Sequence, residues 1–140
     1  MSNPSIAFAR PSLFAVCAAG LLVLAIAMGI GRFAFTPVLP LMIRAGSTDV
    51  VTGGWLAAAN YLGYLLGALT AARVPLSPQR TGLLSLAAIV LSTAAMGLVD
   101  SVAAWLLLRG IAGVASAWAL VCTSVWCLSW LASLGRATPA

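Results

Sequence analysis

Apolar positions in this chain fall in long unbroken runs; they neither alternate in short strands nor recur on a single helical face. No charge occurs between Leu13 and Ile30, and the apolar character continues beyond Arg32 through Leu41, Met42 and Ile43. A helix of roughly 20 apolar residues crosses the hydrocarbon layer. The pattern predicts four such helices, over about residues 13–35, 53–72, 81–99 and 102–131. The first reaches 43 if it kinks near Pro37, where a proline withholds a backbone donor. The connections are short: 44–52 with Gly46, Ser47 and Asp49, 73–80 with Pro75 and Pro78, and the turn at Asp100 and Ser101. The organisation is a polar arm over 1–12, a transmembrane helical domain over 13–132 and a tail over 133–140. The fold class is an all-α membrane protein with four transmembrane helices. A β-barrel is excluded, because its strands would alternate apolar and polar residues in short segments.

Composition strengthens that reading. Of 140 residues, 63% are hydrophobic and 6% charged, against about 25% charged in a soluble domain. Arg10, Arg32, Arg44, Arg73, Arg80, Arg109 and Arg136 stand against Asp49 and Asp100, for a net charge of +5. The arginines are scattered singly between apolar runs and form no stripe for nucleic acid, so they read as topology signals. With four spans, Arg10, Arg73, Arg80 and Arg136 share one side of the membrane, and Arg44, Asp49 and Asp100 share the other. The positive-inside bias then places both termini in the cytoplasm of a cell whose inner (plasma) membrane holds the chain. Arg10, the run from Leu13 and Ala25-Ile26-Ala27 imitate a signal peptide, but the apolar run does not stop at Ala27. Cys17, Cys122 and Cys127 lie inside apolar segments without metal-ligand spacing and read as buried packing residues. Trp105, Trp126 and Trp130 suit two interfacial belts.

The chemistry concentrates on a few polar groups inside the spans. Arg32 follows Gly29 and Gly31 and precedes Pro37 and Pro40. A guanidinium keeps its charge at every accessible pH, and at bilayer depth it costs about 2.5 kcal/mol or more, so it normally faces a bundle interior or a wet cavity. The alternative is a helix that ends near Gly31, with Arg32 snorkelling to the interface. Arg109 lies within about two turns of its helix end and carries the same two readings. On the second helix Ala59, Gly63, Gly67 and Ala71 recur every fourth residue, a small-residue tape for close helix contact. Asn60 and Tyr64 share the adjacent face, as packing glue or as substrate contacts; Tyr61 has a weaker claim. The third helix carries only Ser85, Ser92 and Thr93 as polar groups, which bond back to their own helix and let it face lipid.

With these residues in view, the chain resembles the major facilitator superfamily (MFS) of transporters. Gly29-Ile30-Gly31-Arg32-Phe33-Ala34-Phe35-Thr36-Pro37-Val38-Leu39-Pro40-Leu41-Met42 is similar to the first helix of its YbfB/YjiJ branch. Gly54-Trp55-Leu56-Ala57-Ala58-Ala59-Asn60-Tyr61-Leu62-Gly63-Tyr64-Leu65-Leu66-Gly67-Ala68 is similar to the second. Arg109 with Gly113 four residues later resembles the superfamily's intramembrane arginine motif, with Ala112 where a glutamine often stands. After Gly67, the acidic residue usual in the following loop is missing. The resemblance implies a twelve-helix architecture in two halves, of which this chain would supply the first four helices and one wall of a midplane substrate site.

The function expected is secondary active transport of a small organic solute by alternating access, with Arg32, Asn60, Tyr64 and Arg109 as substrate-path candidates. Gly29, Gly31, Ala59, Gly63, Gly67 and Gly113 are the expected packing residues. The two intramembrane arginines favour an organic anion. The expected partners are the lipid bilayer, the solute, and the missing remainder of a transporter or a second copy; no nucleic acid, cofactor or metal is called for. Two other readings stay open. A four-helix dimeric multidrug exporter fits the length, but its proton coupling needs an intramembrane carboxylate, and both acids lie in loops. A non-transporting membrane subunit or truncated product is the other. Enzyme chemistry finds no support, since there is no His, no paired carboxylate and no phosphate-binding glycine loop.

Overall fold

Helix starts are marked by residues that take up orphan backbone donors. Ser12 accepts from the N–H of Ala15 at 3.2 Å and opens α1, Leu13–Ala25. Asp49 accepts from the N–H of Thr52 at 2.6 Å and opens α3, Val50–Thr70. Pro78, at a first-turn position where no donor is needed, opens α4, Pro78–Met96, three residues before the expected start. Between α1 and α3 the chain runs as a π-helix, Ile26–Phe33, and then α2, Phe35–Arg44. Gly46, at φ 72°, makes the tight turn that follows. A short 3₁₀ turn, Ala71–Arg73, ends the second long helix, and α5, Val102–Arg136, completes the chain. This computed structural model describes residues 12–75 and 77–136, and the side chains through 133. Nearly all of the expected polar arm and half of the tail lie outside the described residues. No strand occurs among those described.

Near Pro37, where the sequence suggests a kink, the first segment changes from π to α geometry between Phe33 and Phe35. The ring of Pro37 crowds the carbonyl four residues back, that of Phe33, which is the last residue of the widened π stretch. A helix in lipid tolerates such disturbance where neighbours supply the missing bonds. Here Ser116 Oγ donates to the carbonyl of Ala27 at 3.2 Å, and Asn60 Nδ2 to that of Gly31 at 3.4 Å.

Leu13–Arg44, Pro78–Met96 and Val102–Ser133 are each long and apolar enough to cross a membrane. Helix α3, with 21 residues and a length of about 31 Å, is long enough as well. Its four glycines, Asn60 and two tyrosines make it less apolar; of these Gly53, Asn60, Gly63 and Gly67 face inward, while Gly54 and Tyr61 are exposed. The middle of α5 is the hub: it packs against α3, α4, α1 and the π-helix. Ala112, Gly113, Ala115, Ser116, Ala117 and Ala119 are all buried there, as small residues must be where several helices converge without a hydrophobic driving force between them.

Three expectations fail. Ser85 and Ser92 of α4 are buried against the bundle, with Ser92 bonded back to Ile89, so this helix does not turn its hydroxyls to lipid. Trp105, near the start of α5, is 6% exposed and turns into the bundle instead of outward as a belt residue would. Its indole N–H donates to the carbonyls of Val99 at 2.8 Å and Met96 at 3.1 Å, serving carbonyls that the end of α4 leaves without partners. Cys17 is exposed on the outer face of α1, while Cys122 is buried and Cys127 half-buried; all three are free thiols.

Candidate functional site

The tape on α3 meets a matching set on α5. A Cβ at Gly63 would collide with the carbonyl of Gly110, and one at Gly113 with the carbonyl of Asn60. A Cβ at Gly67 would stand 2.6 Å from the Val114 carbonyl oxygen. Backbones lie against each other along this seam. Gly31 belongs to the same crossing, since its Cβ would come within 2.5 Å of Ser116 Oγ and 3.1 Å of Ile89 Cγ2. Ala71 is buried at the tape's end, whereas Ala59 is half-buried at its margin. Gly29 departs from expectation: a side chain there would meet nothing within 4 Å, because two residues before the packed Gly31 it lies on the opposite, exposed side of the helix.

Close approach is what lets Asn60 act. Its side chain, 2% exposed, donates to the carbonyls of Gly31 at 3.4 Å and Arg109 at 3.0 Å. One amide thus ties the π-helix, α3 and α5 together at the level of Arg32 and Arg109. In lipid each such bond averages about 0.6 kcal/mol, so its effect is to fix geometry more than to add stability.

The guanidiniums rest on rings. Arg32 Cζ lies 4.5 Å from the Tyr64 ring centre, 5.2 Å from Tyr61 and 5.9 Å from Phe33. Arg109 Cζ lies 4.7 Å from Phe35. These distances fall inside the roughly 6 Å reach of a cation–π contact. Arg109 is 4% exposed, so it does not snorkel. Arg32 is half-buried, and the helix continues past it, so the early helix end is excluded too. Tyr61 and Phe33 are more than half exposed, which leaves the Arg32 cage on the open side of the bundle. Arg109 lines a separate cavity of about 390 Å³ with Phe35, Met42 and Trp105.

Neither arginine has a carboxylate beside it in its span, since both acids of the chain lie in connections. The Nε of each is buried without a hydrogen-bond partner. An aromatic face offsets part of the cost of a buried cation but accepts none of its in-plane hydrogen bonds. What the arrangement offers chemically is donor capacity for an anionic or carbonyl-bearing group. No group of His, Cys, Asp or Glu able to hold a metal occurs among the described residues.

Arg32, Asn60 and Tyr64 therefore converge, and Arg109 joins them through its backbone while its side chain points into its own cavity. Sequence reasoning passed over Phe33 and Phe35 as cation platforms and Ser116 as a donor to the π stretch. The signal for Ser116 was its place three residues after Gly113, on the packed face.

These features define a polytopic helical membrane protein with charged groups held at depth by its own packing. A family model described as "Uncharacterised MFS-type transporter YbfB" matches residues 24–138, and the chain belongs to that family. It is accordingly a multi-pass membrane protein in contact with lipid, and a transporter of the MFS type in preference to an enzyme. Comparison with curated proteins and with solved structures gave no match.

Proposed function

We propose that this chain forms one wall of a path for a small organic anion, moved by secondary active transport with alternating access. The observation that carries the reading is Arg32: a permanent cation in a cage of Tyr64, Tyr61 and Phe33, with its Nε unpartnered and no acid in its span. A carboxylate would supply the in-plane acceptors that the rings lack. Asn60 and Arg109 set the height and angle of the wall, and Tyr64 keeps the guanidinium flat. The opposite wall comes from further helices, of the same transporter or of a second copy, closing over the exposed rings of Tyr61 and Phe33. The charge pattern of the connections favours both termini in the cytoplasm and the inner membrane as the site.

The test is uptake of radiolabelled aliphatic and aromatic carboxylates by vesicles containing the chain, with Arg32→Ala and Arg32→Lys alongside. Transport by the unaltered protein that is lost in Arg32→Ala and weakened in Arg32→Lys supports the reading, because an ammonium keeps the charge but loses the planar fork. Equal uptake by all three removes Arg32 from the path. Accumulation of organic cations with no anion uptake would overturn the substrate class.

A further inference from the structure

A second feature lies on the far flank of the bundle. Helices α3 and α4 both pack on α5 but stand apart, leaving an apolar groove of about 640 Å³ between them. That is within the roughly 300–1,000 Å³ typical of sites for small organic ligands. Its walls are Leu62 and Leu66 of α3 and Leu84 and Ala88 of α4, and its floor is Gly110 and Val114 of α5. From Ala59 on α3 to Val74 just past the 3₁₀ turn, the groove runs about 22 Å, more than one leaflet of a hydrocarbon layer about 30 Å thick. Leu62, Leu66 and Leu84 are each more than half exposed, so the groove opens sideways where lipid tails lie.

One end of this groove carries polar lining and lies next to two basic residues in the chain. Val74 and Thr81 close it, and Trp118, bonded through its indole N–H to Thr70 Oγ at 3.1 Å, stands beside them. Arg73 directly precedes Val74, and Arg80 lies one turn before Leu84 on the same face of α4. Both arginines are exposed, and the connection from Ala71 to Arg80 contains no acid. Arg73 donates to the carbonyl of Leu69 at 3.4 Å, which holds its guanidinium at the end of α3 and leaves its other donors free. Basic residues at the membrane surface beside a crevice between helices are the chemistry that recognises an anionic lipid head group.

We infer that this groove is a binding site for an anionic phospholipid, one acyl chain lying between α3 and α4 and the phosphate meeting Arg73 and Arg80. The site is independent of the transport reading: it uses none of Arg32, Asn60, Tyr64 or Arg109, and it stands whichever way the chain is oriented. The lipid replaces a missing helix contact on α5, so its occupancy stabilises the bundle.

The experiment is native mass spectrometry of the detergent-purified chain with phosphatidylglycerol or phosphatidylcholine of the same acyl chains, alongside melting with each lipid. The expected result is a preference for phosphatidylglycerol of about 25-fold, about fivefold from each arginine near the surface. Arg73→Gln with Arg80→Gln should abolish the preference while leaving weak binding of both lipids. Ile111→Trp, at an exposed position on the groove floor, should displace both lipids while the protein remains folded. Equal retention of the two lipids by the unaltered chain overturns the inference. So does a preference that survives the double substitution, or one untouched by Ile111→Trp. A groove sealed by a second copy, seen as a dimer that takes up no lipid and dissociates with Ile111→Trp, overturns it as well.

Discussion

Gly63→Ala adds one methyl group where α3 lies against the backbone of α5. The new Cβ would collide with the Gly110 carbonyl, with the Gly110 Cα also only 3.0 Å away. Backbone cannot rotate aside as a flexible side chain can, so the helices must part by on the order of 1 Å before ordinary contact distances return. That separation stretches the Asn60 to Arg109 bond one turn away, now 3.0 Å, out of hydrogen-bond range. Overpacking costs about 1–3 kcal/mol, and the lost bond adds about 0.6 kcal/mol in a membrane setting. Exchanging glycine for alanine in a helix returns about 1 kcal/mol, for a net loss of about 0.6–2.6 kcal/mol. Gly54→Ala is the internal control: same helix, same substitution, but nothing within 4 Å of the new methyl. It should gain about 0.5–1 kcal/mol from helix propensity alone. Melting of both variants in one detergent should therefore move in opposite directions from the unaltered protein. Shifts of the same sign and size would refute the argument that backbone contact at Gly63 sets the separation of the helices.

Two further outcomes follow from the same structure. Asn60→Ala removes the donor shared by the Gly31 and Arg109 carbonyls and should cost about 1–2 kcal/mol for two interhelical bonds; an unchanged denaturant midpoint would show that the amide ties nothing together. Asp49 is held below its ordinary value of 3.8, first by the backbone N–H of Thr52 and then by its side chain. A depressed carboxylate stabilises the fold fully above that ordinary value and loses its effect as the pH falls through the lowered one. Acid titration followed by helix content should show this loss, and Asp49→Asn, which caps without titrating, should remove that part of the pH dependence; identical acid profiles would count against the cap.

Some of this was legible in the residues because lipid leaves a chain little choice. With 63% hydrophobic residues and a handful of charges, only helices or a closed barrel satisfy the backbone in hydrocarbon, and the long unbroken runs leave helices, so class and elements follow from composition and runs together. The tape on α3 was readable too, since a spacing of four places Gly63 and Gly67 on one line whatever they meet. Asn60 and Arg109 could be singled out for the same reason: polar groups at depth need partners.

Which partners they have was a matter of three dimensions. Nothing near position 60 in the chain points to the carbonyls of Gly31 and Arg109, 29 and 49 residues away. The expectation at Gly29 failed because residues two apart lie on opposite sides of a helix, so once Gly31 faces the packed crossing Gly29 faces out. Trp105 looked like a belt residue by its place near a helix end, yet the carbonyls left by α4 drew it inside. Local pattern determined that this protein is a bundle of membrane helices and that two cations, Arg32 and Arg109, fall within its apolar runs. The seating of those cations on Tyr64 and Phe35, with no acid beside them, was decided only by how the helices cross.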